Sequence, residues 1–295
     1  MSDAPPRRFH IDGQSFDAPA LPAALHVVAT PIGNLGDVTV RALQVLAAAD
    51  VLAAEDTRHT KRLLDRYGIA RRAVPCHEHN EAGAAERLVA DLDAGRSVAL
   101  VSDAGTPLVS DPGGRLVAAA REAGHAIVPI PGPSAPLAAL VGAGLPTEAY
   151  TFAGFLPPKA QARRSALEAL RAAPGTLVLF EAPHRLAASL ADMASVLGGR
   201  AATVARELTK THEEFRSGTL DELAAHYAAN EPRGEIVVCI APGVEQAADP
   251  EAVLRDLMEQ MSASRAAAEA ARLTGRPKRE LYAMALAMKG DGGDA

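Results

Sequence analysis

The sequence predicts an α/β protein of two α/β domains followed by a small helical extension. Three observations carry this. Apolar runs rich in β-branched residues alternate with helical patterns from residue 25 onward. The break Pro129-Ile-Pro-Gly-Pro133 divides that alternation into two series. Beyond residue 246 the strand signals stop and the chain reads as Ala-rich helices. A length of 295 residues suits two domains, and 48% hydrophobic residues are ample for packed cores.

Residues 1–24 are Pro-rich and read as an irregular, flexible tail. The first domain spans 25–132. Its strands are expected at 25–30, 50–54, 97–103 and 125–130, with a shorter one at 73–76. Helices fall between them at 38–49, 58–67, 81–94 and 114–123. Such alternation means a mostly parallel sheet with helices on both faces. The second domain, 133–246, opens where Ser134 is placed to N-cap a short Ala/Leu-rich helix that Gly142 to Pro146 ends. Strands follow at 150–153, 176–180, 202–205 and 235–240, and helices at 159–172, 184–197 and 219–229, in an order open to a mixed sheet. The extension, 247–295, reads as helices over 250–261, 264–273 and 277–289, with Gly275 in a turn and Pro277 at a helix start. That pattern fits a helix-turn-helix, and equally an Ala-rich hairpin packed on the body.

Composition narrows the function classes. Cys76 and Cys239 lie far apart without a CxxC partner, as expected of buried thiols in a reducing cytosol. No signal-type apolar segment opens the chain, and no apolar stretch is long enough for a membrane helix. The expectation is a cytoplasmic protein. A net charge of −6 disfavours indiscriminate coating of nucleic acid. Local balance differs: residues 262–289 hold six basic side chains against two acidic, and residues 159–171 hold four against one. With 3% aromatics and no Trp, a stacking platform for single-stranded bases is not indicated.

The richest segment is Leu100-Val-Ser-Asp-Ala-Gly-Thr-Pro-Leu-Val-Ser-Asp-Pro-Gly113. A buried strand there delivers a carboxylate and bare backbone to its C-terminal end, where open α/β sheets bind ligands. The first strand runs likewise into Pro31-Ile-Gly-Asn-Leu-Gly36. Gly33-x-x-Gly36 is not GxGxxG, and no Gly-Lys-Ser/Thr follows a Gly loop, which argues against NAD or ATP enzymes. Glu55-Asp-Thr-Arg-His-Thr60 reads either as a capped helix start or as the polar wall of an active site. His77-Glu-His-Asn-Glu81 lacks a third ligand at metal spacing, so a polar loop is preferred and no metal is expected. Arg206-Glu-Leu-Thr-Lys210 and Thr211-His-Glu-Glu-Phe215 read as a charged loop, solvated or facing a cleft.

Together these segments resemble the ribosomal RNA small-subunit methyltransferase I family, the rRNA-modifying branch of the tetrapyrrole methylase superfamily. The resemblance runs from Leu25 to about residue 289. It rests on the segments at 28–37, 54–60, 77–81, 101–113, 130–135, 152–157 (Phe-Ala-Gly-Phe-Leu-Pro), 181–186 (Glu-Ala-Pro-His-Arg-Leu) and 206–214. It implies a two-domain tetrapyrrole-methylase-like fold, an S-adenosylmethionine cleft between the domains, and a homodimer. It further implies methylation of one cytidine ribose 2′-hydroxyl in the decoding region of 16S rRNA, within the 30S subunit. By the same resemblance Ile32, Gly33, Val101, Ser102, Asp103, Thr106, Ser134, Ala135, Glu181 and Leu208 would contact the cofactor.

Methyl transfer from a sulfonium needs alignment and removal of the hydroxyl proton. Glu55, Asp56 and Asp103 are the candidate carboxylates, with Arg58 and Lys210 to hold a phosphate. Arg163, Arg164, Arg276, Lys278 and Arg279 are the expected RNA contacts. Competing readings are a tetrapyrrole carbon methyltransferase, a diphthine-type protein methylase, and a non-catalytic RNA-binding factor. Pro31-Ile-Gly33 and Ser102-Asp-Ala104 stand where metabolic members usually show Gly-Pro-Gly and Gly-Asp-Pro, which disfavours a porphyrinoid substrate.

Overall fold

Alternation of strand and helix from residue 25 produces two five-stranded sheets. The computed structural model describes residues 7–243, 250–274 and 276–290, divided into one unit up to Ala241 and another from Pro242. Residues 1–6 of the expected tail, the boundary at 246/247 and the turn at Gly275 lie outside the described residues.

A hairpin stands where the sequence reads as irregular: β1 (Arg8–Ile11) pairs with β2 (Gln14–Asp17). Asp12 and Gly13 turn it with φ of 48° and 80°, the left-handed pair that a two-residue hairpin loop requires. Phe9 is buried in the first core and stacks on Phe16, with ring centroids 5.5 Å apart.

The first sheet holds β3 (Leu25–Val28), β4 (Val51–Ala54), β5 (Ala73–Pro75), β6 (Val98–Val101) and β7 (Ile127–Ile130), all parallel, in the order β5-β4-β6-β3-β7. Helices α1 (Val40–Ala48) and α2 (Thr57–Arg66) share one core with it, and α3 (Glu81–Asp93) and α4 (Gly114–Glu122) share another on the opposite face. Cover on both sides explains the unbroken Val-Ala-Leu-Val of β6, buried at every position. Strand β3 feeds α1 on one face, while its neighbour β6 feeds α4 on the other. Their outgoing loops part and open a crevice, the switch point at which doubly wound sheets bind ligands. Backbone hydrogen bonds of 2.8 and 2.9 Å between Thr30 and Gly105 clamp its base.

Helix α5 (Ala135–Gly142) leads to the second sheet: β8 (Tyr150–Phe155), β9 (Thr176–Glu181), β10 (Ala201–Arg206), β11 (Glu214–Thr219) and β12 (Ile236–Ile240), in the order β11-β10-β12-β9-β8. Only β8 and β9 run parallel, so the sheet is mixed. Strand β11 occupies part of the segment read as a charged loop. It is an edge strand, paired along its whole length with β10, and an edge strand needs no apolar run. Helices α6 (Ala160–Leu170), α7 (Leu186–Leu197) and α8 (Leu220–Ala229) share one core with the sheet. A capping box between Thr219 and Glu222 starts α8. The other core gathers Ala139 and Leu140 of α5 with Val178, Leu208 and Val237, and takes Ile32 from the β3–α1 loop.

The second unit comprises α9 (Pro250–Gln260), α10 (Ala263–Thr274) and α11 (Lys278–Gly290), packed around Leu254, Ala266, Ala267, Ala270, Leu281 and Ala285. Among the described residues, no helix is long and apolar enough to cross a membrane.

Candidate active site

A cavity of about 370 Å³ lies at the switch-point crevice. The β3–α1 loop lends it Ile32, and the β6–α4 loop lends Ala104 to Thr106 and Val109 to Asp111. Ser134 to Pro136 close one side, and Phe155, Phe180, Glu181, Leu208 and Gly234 to Val237 close the other from the second sheet. An apolar wall with few polar groups and this volume suits a small organic ligand.

The backbone is strained beside the cavity. Leu108, Ser110, Glu207 and Thr209 have φ of 73°, 68°, 52° and 64°, a region L-residues enter at a cost of about 1–2 kcal/mol each. They flank Val109 and Leu208, which both line the cavity. Tertiary contacts hold these loops: the Asn34 amide donates to Thr209 Oγ1 at 3.0 Å, and Thr106 Oγ1 donates to the Pro133 carbonyl at 3.2 Å.

Acidic side chains gather behind the wall. The Asp103 amide donates to Glu55 Oε2 at 3.4 Å, and the Asp56 amide donates to Asp103 Oδ1 at 2.9 Å. Burial pushes the Glu55 carboxyl above its ordinary value, and the charge of Asp103 adds to the rise. Burial raises the Asp111 carboxyl too; a hydrogen bond from Ser102 opposes this and Asp103 reinforces it. Of these groups only Asp111 reaches the cavity wall. Its role was not assigned from sequence, although the Ser-Asp-Pro-Gly break that holds it was plain.

Among the positions expected at a cofactor, Ile32, Thr106, Ser134, Ala135, Glu181 and Leu208 lie on the wall. Val101 and Ser102 are buried behind it, with Asp103 in the acidic group. Gly33 makes room for protein rather than ligand: a Cβ there would come 2.5 Å from Lys210 Cγ and 2.9 Å from Thr209 Oγ1. Glu181 touches the cavity, yet its carboxylate is engaged internally. It accepts from the Ala182 amide at 2.8 Å and from the Ser189 hydroxyl, and pairs with Arg185 at 3.2 Å.

The four expected catalytic side chains lie off the wall. Glu55 stands in the acidic group. Asp56 N-caps α2, accepting from the Arg58 amide at 2.8 Å, and pairs with the Arg58 guanidinium at 2.9 Å. Those Arg58 hydrogen bonds hold its carboxyl down at about 2. Arg58 itself is 90% exposed at the helix start. Lys210 pairs with Glu207 at 2.8 Å and Glu235 at 3.2 Å.

Arg163 corrects an expectation. It is 5% exposed, with Nε donating to Asp192 at 2.7 Å and Nη1 to the Pro158 carbonyl at 3.1 Å. Buried between α6 and α7, this cation cannot meet a phosphate. Arg164 remains half exposed while pairing with the same carboxylate at 3.1 Å. Arg276, Lys278 and Arg279 are exposed in the second unit. The His77–Glu81 segment is a turn closed by Asn80, which accepts from the His77 amide at 2.8 Å. Its Glu81 reaches the start of α4 and accepts from the Gly113 and Arg115 amides at 3.0 and 2.8 Å.

Residues 24–224 match the family described as Tetrapyrrole (Corrin/Porphyrin) Methylases, and residues 244–289 match the RsmI C-terminal HTH domain. The Ribosomal RNA small subunit methyltransferase I of Mesorhizobium japonicum is 56% identical, over 94% of this chain and 98% of that protein. The chain belongs to the ribosomal RNA small subunit methyltransferase I family. The family member of Pseudomonas aeruginosa is 50% identical, over 90% of this chain and 98% of that one. The chain is therefore a methyltransferase. Among solved structures, uroporphyrin-III-C-methyltransferase from Thermus thermophilus aligns with 75% of this chain and 94% of its own, at 25% identity and a TM-score of 0.52. Diphthine synthase shares the fold at 17% identity, over 74% of this chain and 89% of its own, with a TM-score of 0.59.

Proposed function

We propose that the chain methylates a cytidine ribose 2′-hydroxyl in the decoding region of 16S rRNA, using S-adenosylmethionine, on the 30S subunit in the cytoplasm. The observation that carries this reading is the switch-point cavity. It lies inside a chain 56% identical to a ribosomal RNA small subunit methyltransferase.

The wall suits S-adenosylmethionine. Phe155 and Phe180, with centroids 5.3 Å apart, offer faces for a heteroaromatic ring. The Ser134 hydroxyl makes no capping bond to α5 and can meet a polar end group. Bound there, the cofactor supplies a methyl group on a sulfonium leaving group. The chain must align the acceptor oxygen and take its proton. Asp111 suits the second task, because burial and the neighbouring Asp103 carboxylate make it a stronger base than an ordinary Asp. Asp56, at about 2, is a weak acceptor and serves α2 as a cap. Arg58, 90% exposed, can turn from Asp56 to a substrate phosphate, whereas Lys210 would have to leave Glu207 and Glu235 to do so. Exposed Leu137 and Val141 on α5 give a second copy an apolar face to cover, in keeping with a homodimer.

The test is tritiated methyl transfer to 30S subunits from a strain lacking this modification, followed by nuclease mapping. Label on one cytidine ribose in the decoding region is expected. Cofactor binding by calorimetry without any label on 30S would overturn the reading.

A further inference from the structure

Helix α2 buries Thr60, Leu63 and Leu64 and turns Arg58, His59, Lys61, Arg62, Asp65 and Arg66 to solvent. On that face Lys61 pairs with Asp65 at 2.6 Å and Arg58 with Asp56 at 2.9 Å. Arg62 and Arg66 are exposed, and the described residues offer neither of them a carboxylate within 4.0 Å. Arg58, Arg62 and Arg66 thus form a row of like charge at i, i+4 and i+8, an arrangement that destabilises a helix by itself. The row starts where Asp56 caps α2 beside the acidic group. It ends about 12 Å further on, at eight residues of helical rise.

At that far end lies a second cavity, of about 390 Å³, between the N-terminal hairpin and the start of α1. Val40 supplies an apolar patch, and Tyr67 an aromatic one fixed by its hydroxyl, which donates to the Leu35 carbonyl at 2.7 Å. Arg66, His10 and Asp12 complete the lining with charged and polar groups. The hairpin residues of this cavity precede the 24–224 family match.

We propose that this face of α2 and the second cavity receive the single strand of RNA that flanks the acceptor nucleotide. Phosphates follow Arg62 and Arg66, and one splayed base enters the cavity. Guanidinium forks match phosphate geometry. A pocket with an aromatic wall and a carboxylate reads the edge of an unstacked base. An acidic protein surface would satisfy the arginine row but leave the cavity without a role. With a net charge of −6, RNA must be held by local cationic patches, and this row is one of them. The inference rests on the RNA-methylating reading above.

The experiment measures the affinity of the full-length protein for 30S subunits at several KCl concentrations and fixed magnesium. It compares wild type with an Arg62→Gln/Arg66→Gln double variant. Cofactor affinity should stay unchanged, and the melting temperature should hold or rise slightly as the like-charge row is relieved. Binding should weaken, and the slope of log affinity against log salt should fall by about 1.4, at roughly 0.7 per single-strand phosphate contact. Arg62→Lys/Arg66→Lys should recover most of that slope. Asp12→Asn should lower kcat/KM on 30S with the slope intact. An unchanged slope in the Gln pair, with wild type methylating 30S, overturns the track. An unchanged kcat/KM in Asp12→Asn overturns the cavity as a base site. If wild type labels no 30S at all, the functional reading fails first and this proposal falls with it.

Discussion

Replacing Glu81 with Ala should loosen the cavity from behind. Glu81 is 9% exposed on α3, and one of its oxygens accepts both amides that open α4, from Gly113 and Arg115. Gly113 is itself buried, so its amide would be left without a partner, at about 1–3 kcal/mol. Arg115 is exposed and can turn to water. Losing a carboxylate at a helix N-terminus adds about 0.3–1 kcal/mol. The total is about 1.3–4 kcal/mol, and at roughly 2–4 °C per kcal/mol for a unit of this size the melting temperature should drop by about 3–16 °C. Glu81→Gln keeps the accepting oxygen and loses only the charge, so it should cost about 1 kcal/mol. Thermal unfolding by circular dichroism reads the stability, and calorimetry reads cofactor affinity, which should fall with the Ala variant because the β6–α4 loop carries Thr106 and Asp111. Equal melting temperatures for the Ala and Gln variants, or an Ala variant within about 1 °C of wild type, would refute the reasoning.

Asp111→Asn should lower kcat by about 10²–10⁴-fold while leaving cofactor affinity intact. In wild type, kcat/KM should fall as pH drops through the raised Asp111 value, because the protonated carboxyl cannot accept a proton; the Asn variant should lose that limb. Gly33→Ala must displace Lys210 and Thr209, and should cost about 1–3 kcal/mol of stability together with cofactor affinity, read by thermal shift and calorimetry. Asp192→Ala leaves Arg163 charged and buried, and should destabilise by about 3–5 kcal/mol in denaturant unfolding. Pairing it with Arg163→Met should restore much of the loss.

The first sheet was legible because its inner strands β3, β4 and β6 are covered on both faces and so read as continuous apolar runs. The charged edge strand β11 offers no such run. Its pairing with β10 holds it, and pairing leaves no local trace. The hairpin did carry a signal, Asp12-Gly13 between Phe9 and Phe16, masked by the prolines around it. For the site, strand-end loops announce where a cavity opens but not which side chains face it. Glu181 and Asp56 look equally available in the sequence. One is engaged by Ser189 and Arg185, the other by α2 and Arg58. Basic residues at 163 and 164 are adjacent in the chain, yet helical rotation buries one and half exposes the other.

Ile32 belongs by sequence to the first sheet's outgoing loop and by packing to the core of the second sheet, among Ala139, Val178, Leu208 and Val237. Two consequences follow for how the halves can be separated. A fragment ending near residue 132 would strip the cover from Ile32 and release Asn34 from Thr209, so it would carry the glycine loop without a binding wall. Exchange of one half between distant relatives would meet the same obstacle, since both sides of this joint must change together. The cavity is a property of the assembled pair, and neither sheet alone supplies its wall.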